Sequence, residues 1–320
     1  MRLFFILFLF IFGTFTHTAS AQLDMQELVS PQLLLETEPE YPRPGEEVTV
    51  TINDYRGGTY GSNVTWLYDG QEVVSAENRR SVTIVAGALN VPTKVEAVLN
   101  KPSGGREVLS TTIRPVYLDI VIEAQTRVPD FYLGRSLPSI ESMVNATALV
   151  NDGRMGNDLV YTWSLNRKVL EGGPIRGRDQ VSFAMPMGDN AVLTVQATEP
   201  NGKVLARRAI LVPSVRPTIH FHEVSTLFGI KHNPIDTELI LVGNTATVQA
   251  EPYHLDTRVY NNPDVAQWKV NNNSQQNPGG NPYQITFLHT GLGGNTNLSF
   301  QVRDTTQVLQ GASDSIRVRF

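Results

Sequence analysis

The chain has 320 residues, 31 acidic against 26 basic side chains and no cysteine, with a formal net charge of −5. That length suits two or three domains of ordinary size. The missing cysteines exclude disulfides, thiolate zinc sites, iron–sulfur clusters, cysteine nucleophiles and thiol-linked lipids, and the acidic balance argues against the basic field of a dedicated nucleic-acid binder.

Reading from the amino terminus, Met1-Arg2 gives a short positive end, Leu3 to Phe12 is an unbroken apolar run, and Ala19-Ser20-Ala21 has the small-x-small form that signal peptidase cuts. Residues 1–21 are therefore expected to be a signal peptide, cleaved before Gln22. The alternative, a retained anchor, is disfavoured because the run falls short of the roughly 20 residues that span a bilayer. The expected location is the cell surface or periplasm. No later segment is long or apolar enough to form a membrane-crossing helix.

The next feature is a repeat. All three tryptophans of the chain have similar surroundings: Val64-Thr65-Trp66-Leu67-Tyr68, Tyr161-Thr162-Trp163-Ser164-Leu165 and Ala266-Gln267-Trp268-Lys269-Val270. Apolar residues two before and two after each Trp give the period-two alternation of a strand with the Trp on its buried face. Upstream of each lies another alternating strand, marked by Val48, Val50 and Ile52, by Val144, Ala146, Ala148 and Val150, and by Ala246, Val248 and Ala250. Downstream come Val95, Ala97 and Leu99, then Leu193, Val195 and Ala197, then Leu298, Phe300 and Val302. Each copy then restarts at a Val-Leu pair: Val108-Leu109, Val204-Leu205 and Val308-Leu309. The turns before these pairs, Lys101-Pro102-Ser103-Gly104-Gly105 and Glu199-Pro200-Asn201-Gly202, supply the Gly and Asn that tight hairpins need, whereas Asp304-Thr305-Thr306-Gln307 lacks a glycine. Many short strands at regular spacing predict an all-β chain of three tandem immunoglobulin-like sandwiches, bounded at 22–114, 115–216 and 217–320. Ile113-Arg114-Pro115-Val116 and Val215-Arg216-Pro217-Thr218 join them as short, stiff linkers, which favours a rod.

Two stretches, Gln125 to Ser142 and Val224 to Thr237, hold the same place in the second and third units, between the first and second core strands. Both carry an aromatic-Gly feature, Phe131-Tyr132-Leu133-Gly134 and Leu227-Phe228-Gly229. They read as matching loops packed on the end of a sandwich, open to a ligand-binding role. A short helix is conceivable only within Asp130 to Ser142, where Gly134 and Pro138 weaken it.

At Trp66-Leu67-Tyr68-Asp69-Gly70, and at the strands flanking Asn201-Gly202, the sequence resembles the polycystic-kidney-disease (PKD) type of immunoglobulin-like domain, as found in tandem in exported bacterial surface proteins. The resemblance implies extracytoplasmic display and contact with a protein or a glycan, not a catalytic activity.

The chain has no Gly-x-Ser-x-Gly elbow, His-Glu-x-x-His, Gly-x-x-x-x-Gly-Lys or dinucleotide fingerprint, so it assigns no catalytic, cofactor-binding or metal residue and no cofactor. Three constellations are weighed against that. His220, His222, His232, His254 and His289 all fall in the third unit. His220 and His222 share a strand face and could chelate a metal, but the preferred reading is a solvent-facing strand with Ile219 and Phe221 in the core. Asn151-Asp152-Gly153 with Asn157-Asp158 offers oxygen ligands to calcium, with a solvated turn preferred. The polar stretch Asn271 to Asn281 could hydrogen-bond sugars, or be an ordinary hairpin tip. The function expected is a non-enzymatic exported structural or adhesive protein that presents loops to an envelope or surface protein. The alternative is a module binding cell-wall glycan, and neither nucleic acid nor a small-molecule cofactor is expected.

Overall fold

Alternation around the tryptophans becomes strand pairing in the computed structural model, which describes residues 33–151, 158–275, 280–289, 291, 293–304 and 310–320. The expected signal peptide lies outside the described residues, as do Val308-Leu309 and most of the turn before them.

The first unit comprises β1 (Leu33–Glu38), β2 (Glu47–Asp54), β3 (Asn63–Tyr68), β4 (Gln71–Glu72), β5 (Ser81–Val85), β6 (Thr93–Asn100) and β7 (Arg106–Ile113). One sheet has the order β1-β2-β5 and the other β4-β3-β6-β7. This is the immunoglobulin arrangement of two antiparallel sheets facing across one core. The second unit repeats it with β8 (Tyr117–Ala124), β9 (Thr126–Arg127), β10 (Met143–Asn151), β11 (Val160–Leu165), β12 (Lys168–Val169), β13 (Ile175–Arg176), β14 (Gln180–Ala184), β15 (Asn190–Thr198) and β16 (Val204–Pro213). Its sheets are β14-β10-β8 and β12-β11-β15-β16, with β13 also on β11.

The third unit contains β17 (Thr218–Ser225), β18 (Gly229–Ile230), β19 (Glu238–Ile240), β20 (Thr245–Tyr253), β21 (Leu255–Asp256), α1 (Thr257–Tyr260), β22 (Ala266–Val270), β23 (Asn273–Gln275), β24 (Gln284–Leu288), β25 (Asn295–Arg303) and β26 (Gly311–Arg319). Its sheets run β18-β17-β20-β24 and β19-β26-β25-β22-β23, with β19 parallel to β26. The chain is thus a tandem of immunoglobulin-like sandwiches.

Trp66, Trp163 and Trp268 are all buried, each in a separate apolar cluster that includes the periodic residues named above. Each indole N–H also donates to a backbone carbonyl on the facing side of its unit: Arg79 at 2.9 Å, Arg178 at 3.1 Å and Pro282 at 3.0 Å. That satisfies the ring's one polar atom, so the largest side chain of each core is buried without an orphaned donor. The turn after each Trp is also the same. Asp69-Gly70, Asn166-Arg167 and Asn271-Asn272 all take left-handed φ, starting at 49° in every copy. Such a pair closes a two-residue hairpin, and Asn tolerates this conformation where Gly is lacking. No helix forms within Asp130 to Ser142, whose backbone runs in turns and extended segments instead. The one α-helix among the described residues is the single turn α1, N-capped by the Asp256 carboxylate.

Register fixes which loops share an end. In the first unit Leu33 faces Asp54 and Asn63 faces Asn100, so the start of β1, the β2–β3 loop and the β6–β7 turn lie together at what we call the leading end. Thr93 faces Ile113, which puts the close of β7 at the opposite, trailing end with the β1–β2 connection. Tyr117 against Asn151 and Thr218 against Tyr253 repeat the pattern. Successive units are therefore joined trailing end to leading end.

Candidate interaction surfaces

At the junction of the second and third units, the connection between β8 and β10 meets the connection between β20 and β22. Backbone pairing crosses it: β9 pairs with β21, the His254 N–H donates to Arg127 O at 2.7 Å, and the Thr257 N–H donates to Gln125 O at 3.0 Å. Asp256, fully buried, accepts from Met143 N at 3.1 Å, from Arg258 N at 2.7 Å and from Arg258 Nη2 at 2.9 Å. Gln310, also fully buried, donates through Nε2 to Ser139 Oγ at 3.0 Å and to Ile140 O, while its Oε1 accepts from Asp256 N at 3.3 Å. Buried Asp256 and Gln310 of the third unit thus bond Met143 N, Ser139 Oγ and Ile140 O of the second, and removing either side chain leaves its partners without those bonds.

Around this network lies an aromatic layer. Phe131 stacks on His232 with centroids 4.6 Å apart and meets the edge of His222 at 5.2 Å. Tyr132 packs edge-on to Tyr253 at 5.4 Å, His220 does the same at 4.9 Å, and the Arg127 guanidinium sits 5.4 Å from the Tyr260 ring. The expected alternation holds for Ile219 and Phe221, which face the core. The opposite face is open to solvent at His220, as expected, but His222 is fully buried there. The sequence shows alternation along one strand but not the second-unit loop that covers it.

In His222 and His254 the Nδ1 atom has a partner, while His222 Nε2 is buried without one. His254 Nδ1 accepts from the Leu137 N–H at 3.1 Å and so must carry no proton, whereas His222 Nδ1 lies 2.8 Å from Lys231 O and must carry one. Burial holds both imidazoles below the ordinary histidine value. Burial pushes the neighbouring Glu251 carboxyl up, against the opposing charge of Arg127. His289 is apart from this group, stacked on Phe320 at 4.7 Å. Among the described residues no three His, Cys, Asp or Glu side chains are placed to hold a metal ion. Of the calcium candidates, 152–157 lie outside the described residues, and Asp158 pairs with Arg176 at 2.6 Å. Of the polar stretch, Asn271 and Asn272 form the turn, Asn273–Gln275 form exposed β23, Asn281 Nδ2 donates to Gln249 Oε1 at 3.3 Å, and 276–279 lie outside the described residues.

The first junction is slighter. The Val116 N–H donates to Pro42 O at 3.1 Å, the Asn90 N–H donates to Pro115 O at 2.8 Å, and Arg43 pairs with Asp119 in partial contact with solvent. Tyr41 packs against the core of the second unit. Its phenol is pushed up to about 12, first by burial and then by Glu40. A cavity of about 120 Å³ lies beside it, lined by Ile113, Glu199 and Leu205.

Two ends meet no other unit in the described structure. At the leading end of the first, the Asp54 carboxylate accepts from Arg56 N, Gly57 N, Thr59 N and Thr59 Oγ1 at 2.6–3.0 Å. These bonds, Thr59 foremost, hold Asp54 at about 2. The clasped loop displays Tyr55, 73% exposed, and Tyr60, 92% exposed, beside a groove of about 320 Å³ shared with Lys101 and Glu107. At the trailing end of the third, Ser225 Oγ accepts from Leu227 N and Phe228 N at 3.2 and 3.3 Å, and these two side chains are 84% and 87% exposed. Exposed Ile240, Val242 and Leu288 belong to the same end.

No protein-family model matches the chain, and no curated protein matches it in sequence. Among solved structures it is similar to the fibronectin(III)-like modules of Clostridium thermocellum CbhA, at 10% identity and TM-score 0.26, over 57% of this chain and 94% of that one. It is also similar to three N-terminal domains of the outer capsid protein Hoc of bacteriophage RB49, at 10% identity and TM-score 0.25, over 90% and 98% of the two chains. A third likeness is to the Bacteroides ovatus mixed-linkage glucan utilization locus protein SGBP-B, solved with a mixed-linkage heptasaccharide, at 12% identity and TM-score 0.24, over 91% and 67%. The class of this protein, tandem immunoglobulin-like sandwiches, rests on the strand order and register given above.

Proposed function

We propose that this is a non-enzymatic exported structural or adhesive protein of the cell surface or periplasm, whose sandwiches hold loops toward a protein or envelope partner. The observation that carries the reading is the second junction, where strand pairing and the buried Asp256 and Gln310 fix one unit against the next. A chain that invests its buried polar groups in joining its units is built to hold a shape. The PKD-type subclass belongs to this reading, supported by the Asp69-Gly70 turn and the Asn201-Gly202 hairpin.

Crosslinking in intact cells, with identification of the adducts, tests it. Discrete adducts to an envelope protein, lost when the loop residue carrying the crosslinker is moved into the core, support the reading. Binding of the purified chain to cell-wall glycan with no protein adduct overturns it in favour of a carbohydrate-binding module, and recovery of the chain in the cytoplasmic fraction overturns the location.

A further inference from the structure

The two ends that meet no other unit among the described residues are of opposite kinds. Both junctions within the chain set a trailing end, with its connection between first and second core strands, onto the leading end of the next unit. In the second unit that connection carries Phe131 and Tyr132, and both rings are docked on the third unit. The third unit carries the matching feature, Leu227-Phe228-Gly229, in the same place, yet its large side chains stand in solvent with Val242 and Leu288 at the same end. Exposed apolar residues gathered at one end mark an interaction surface. The first unit supplies the other half: a leading end whose loop is clasped by Asp54 and presents Tyr55, Arg56 and Tyr60, the residue types that anchor interfaces.

We infer that the trailing end of the third unit docks on the leading end of the first unit of a second copy, continuing between molecules the contact already made twice within each. Leu227 and Phe228 then take the place that Phe131 and Tyr132 hold at the internal junction, against Tyr55 and Tyr60. The two surfaces differ, so the contact is heterologous and does not close on itself in a dimer. It propagates as an open head-to-tail series.

Sedimentation equilibrium of the full protein, purified from an exporting host, tests this from micromolar to millimolar concentration. The average mass is expected to rise without a plateau at the dimer. Leu227→Ser with Phe228→Ser, or Tyr55→Ser with Tyr60→Ser, each weakens association by at least about tenfold, the scale of losing an aromatic anchor. Each double variant keeps one intact end, so an equimolar mixture must regain dimers and stop there. That recovery also shows that both variants fold. A protein monomeric at every concentration, a plateau at the dimer, association indifferent to either pair, or a mixture that stays monomeric overturns the inference. Such a result leaves the structural reading standing, because that reading is tested by envelope adducts.

Discussion

The two internal junctions do the same job by different means. At the first, a stiff Pro115 linker, two backbone hydrogen bonds, the half-buried Tyr41 and a partly solvated Arg43–Asp119 pair suffice. At the second, two short strands pair and fully buried side chains of the two units complete one another's hydrogen bonding. Solvated contacts can be lost singly at little cost, whereas a buried network fails as a unit because each lost member leaves partners stranded. The second and third units should therefore unfold as one cooperative body, with the first more independent.

The sharpest way to break that contrast is Asp256→Ala. It removes the acceptor shared by Met143 N, Arg258 N and the Arg258 guanidinium, at a cost of about 3 kcal/mol, the lower end for a buried pair because half of Arg258 stays in water. Calorimetry should then resolve separate transitions for the second and third units where the unaltered protein gives one. Gln310→Ala follows at about 2 kcal/mol, since it strands Asp256 N, Ser139 Oγ and Ile140 O together. A single merged transition in both variants would mean that the network does not hold the junction.

Acid should act on the second junction and spare the first. His222 and His254 are held below the ordinary histidine value of 6.5, so the separated state takes up the proton first and stability is lost as pH falls from about 6.5 through the depressed values. For His254 the cause is burial, and the geometry agrees, because a protonated Nδ1 would face the Leu137 N–H donor to donor. Glu251 has the opposite sign: its raised value lies above the ordinary 4.5, so its protonation on acidification offsets part of the loss. His254→Asn places an amide oxygen where Nδ1 stood and suits the left-handed φ of 59°. It should hold the junction at neutral pH and remove roughly half of the acid sensitivity, read from unfolding midpoints across that range. An undiminished acid response would clear His254.

Most of the fold was legible because burial in a strand has period two, and Trp66, Trp163 and Trp268 kept step with that period over three copies. Even the degenerate turns at Asn166-Arg167 and Asn271-Asn272 keep the geometry of Asp69-Gly70, which their sequences only half suggest. The junctions were not legible. Asp256 and Gln310 stand 54 residues apart, and Gln310 reaches Ser139 across a separation of 171, so no local pattern joins them. The clustering of the five histidines in the third unit was the one available signal. It pointed to metal or to a solvent face, whereas the aromatic loop that covers His222 comes from another unit. The matched aromatic-Gly loops did signal a shared place in the fold, and their opposite exposures became visible only once one of them was docked.

Arg43→Ala is the mildest test, and it bears on the other side of the comparison. The pair with Asp119 is the longest-range ionic contact across the first junction, yet both side chains keep a share of solvent, and long side chains lose rotamer freedom to meet. The expected cost is about 0.5 kcal/mol, with the transition of the second and third units unmoved. Raising the ionic strength should mimic the substitution, because screening reaches this pair and does not reach Asp256. A loss as large as that from Asp256→Ala would show that the first junction is also held as a network, centred on the Arg43–Asp119 pair. The contrast between the junctions would then be one of composition and not of cooperativity.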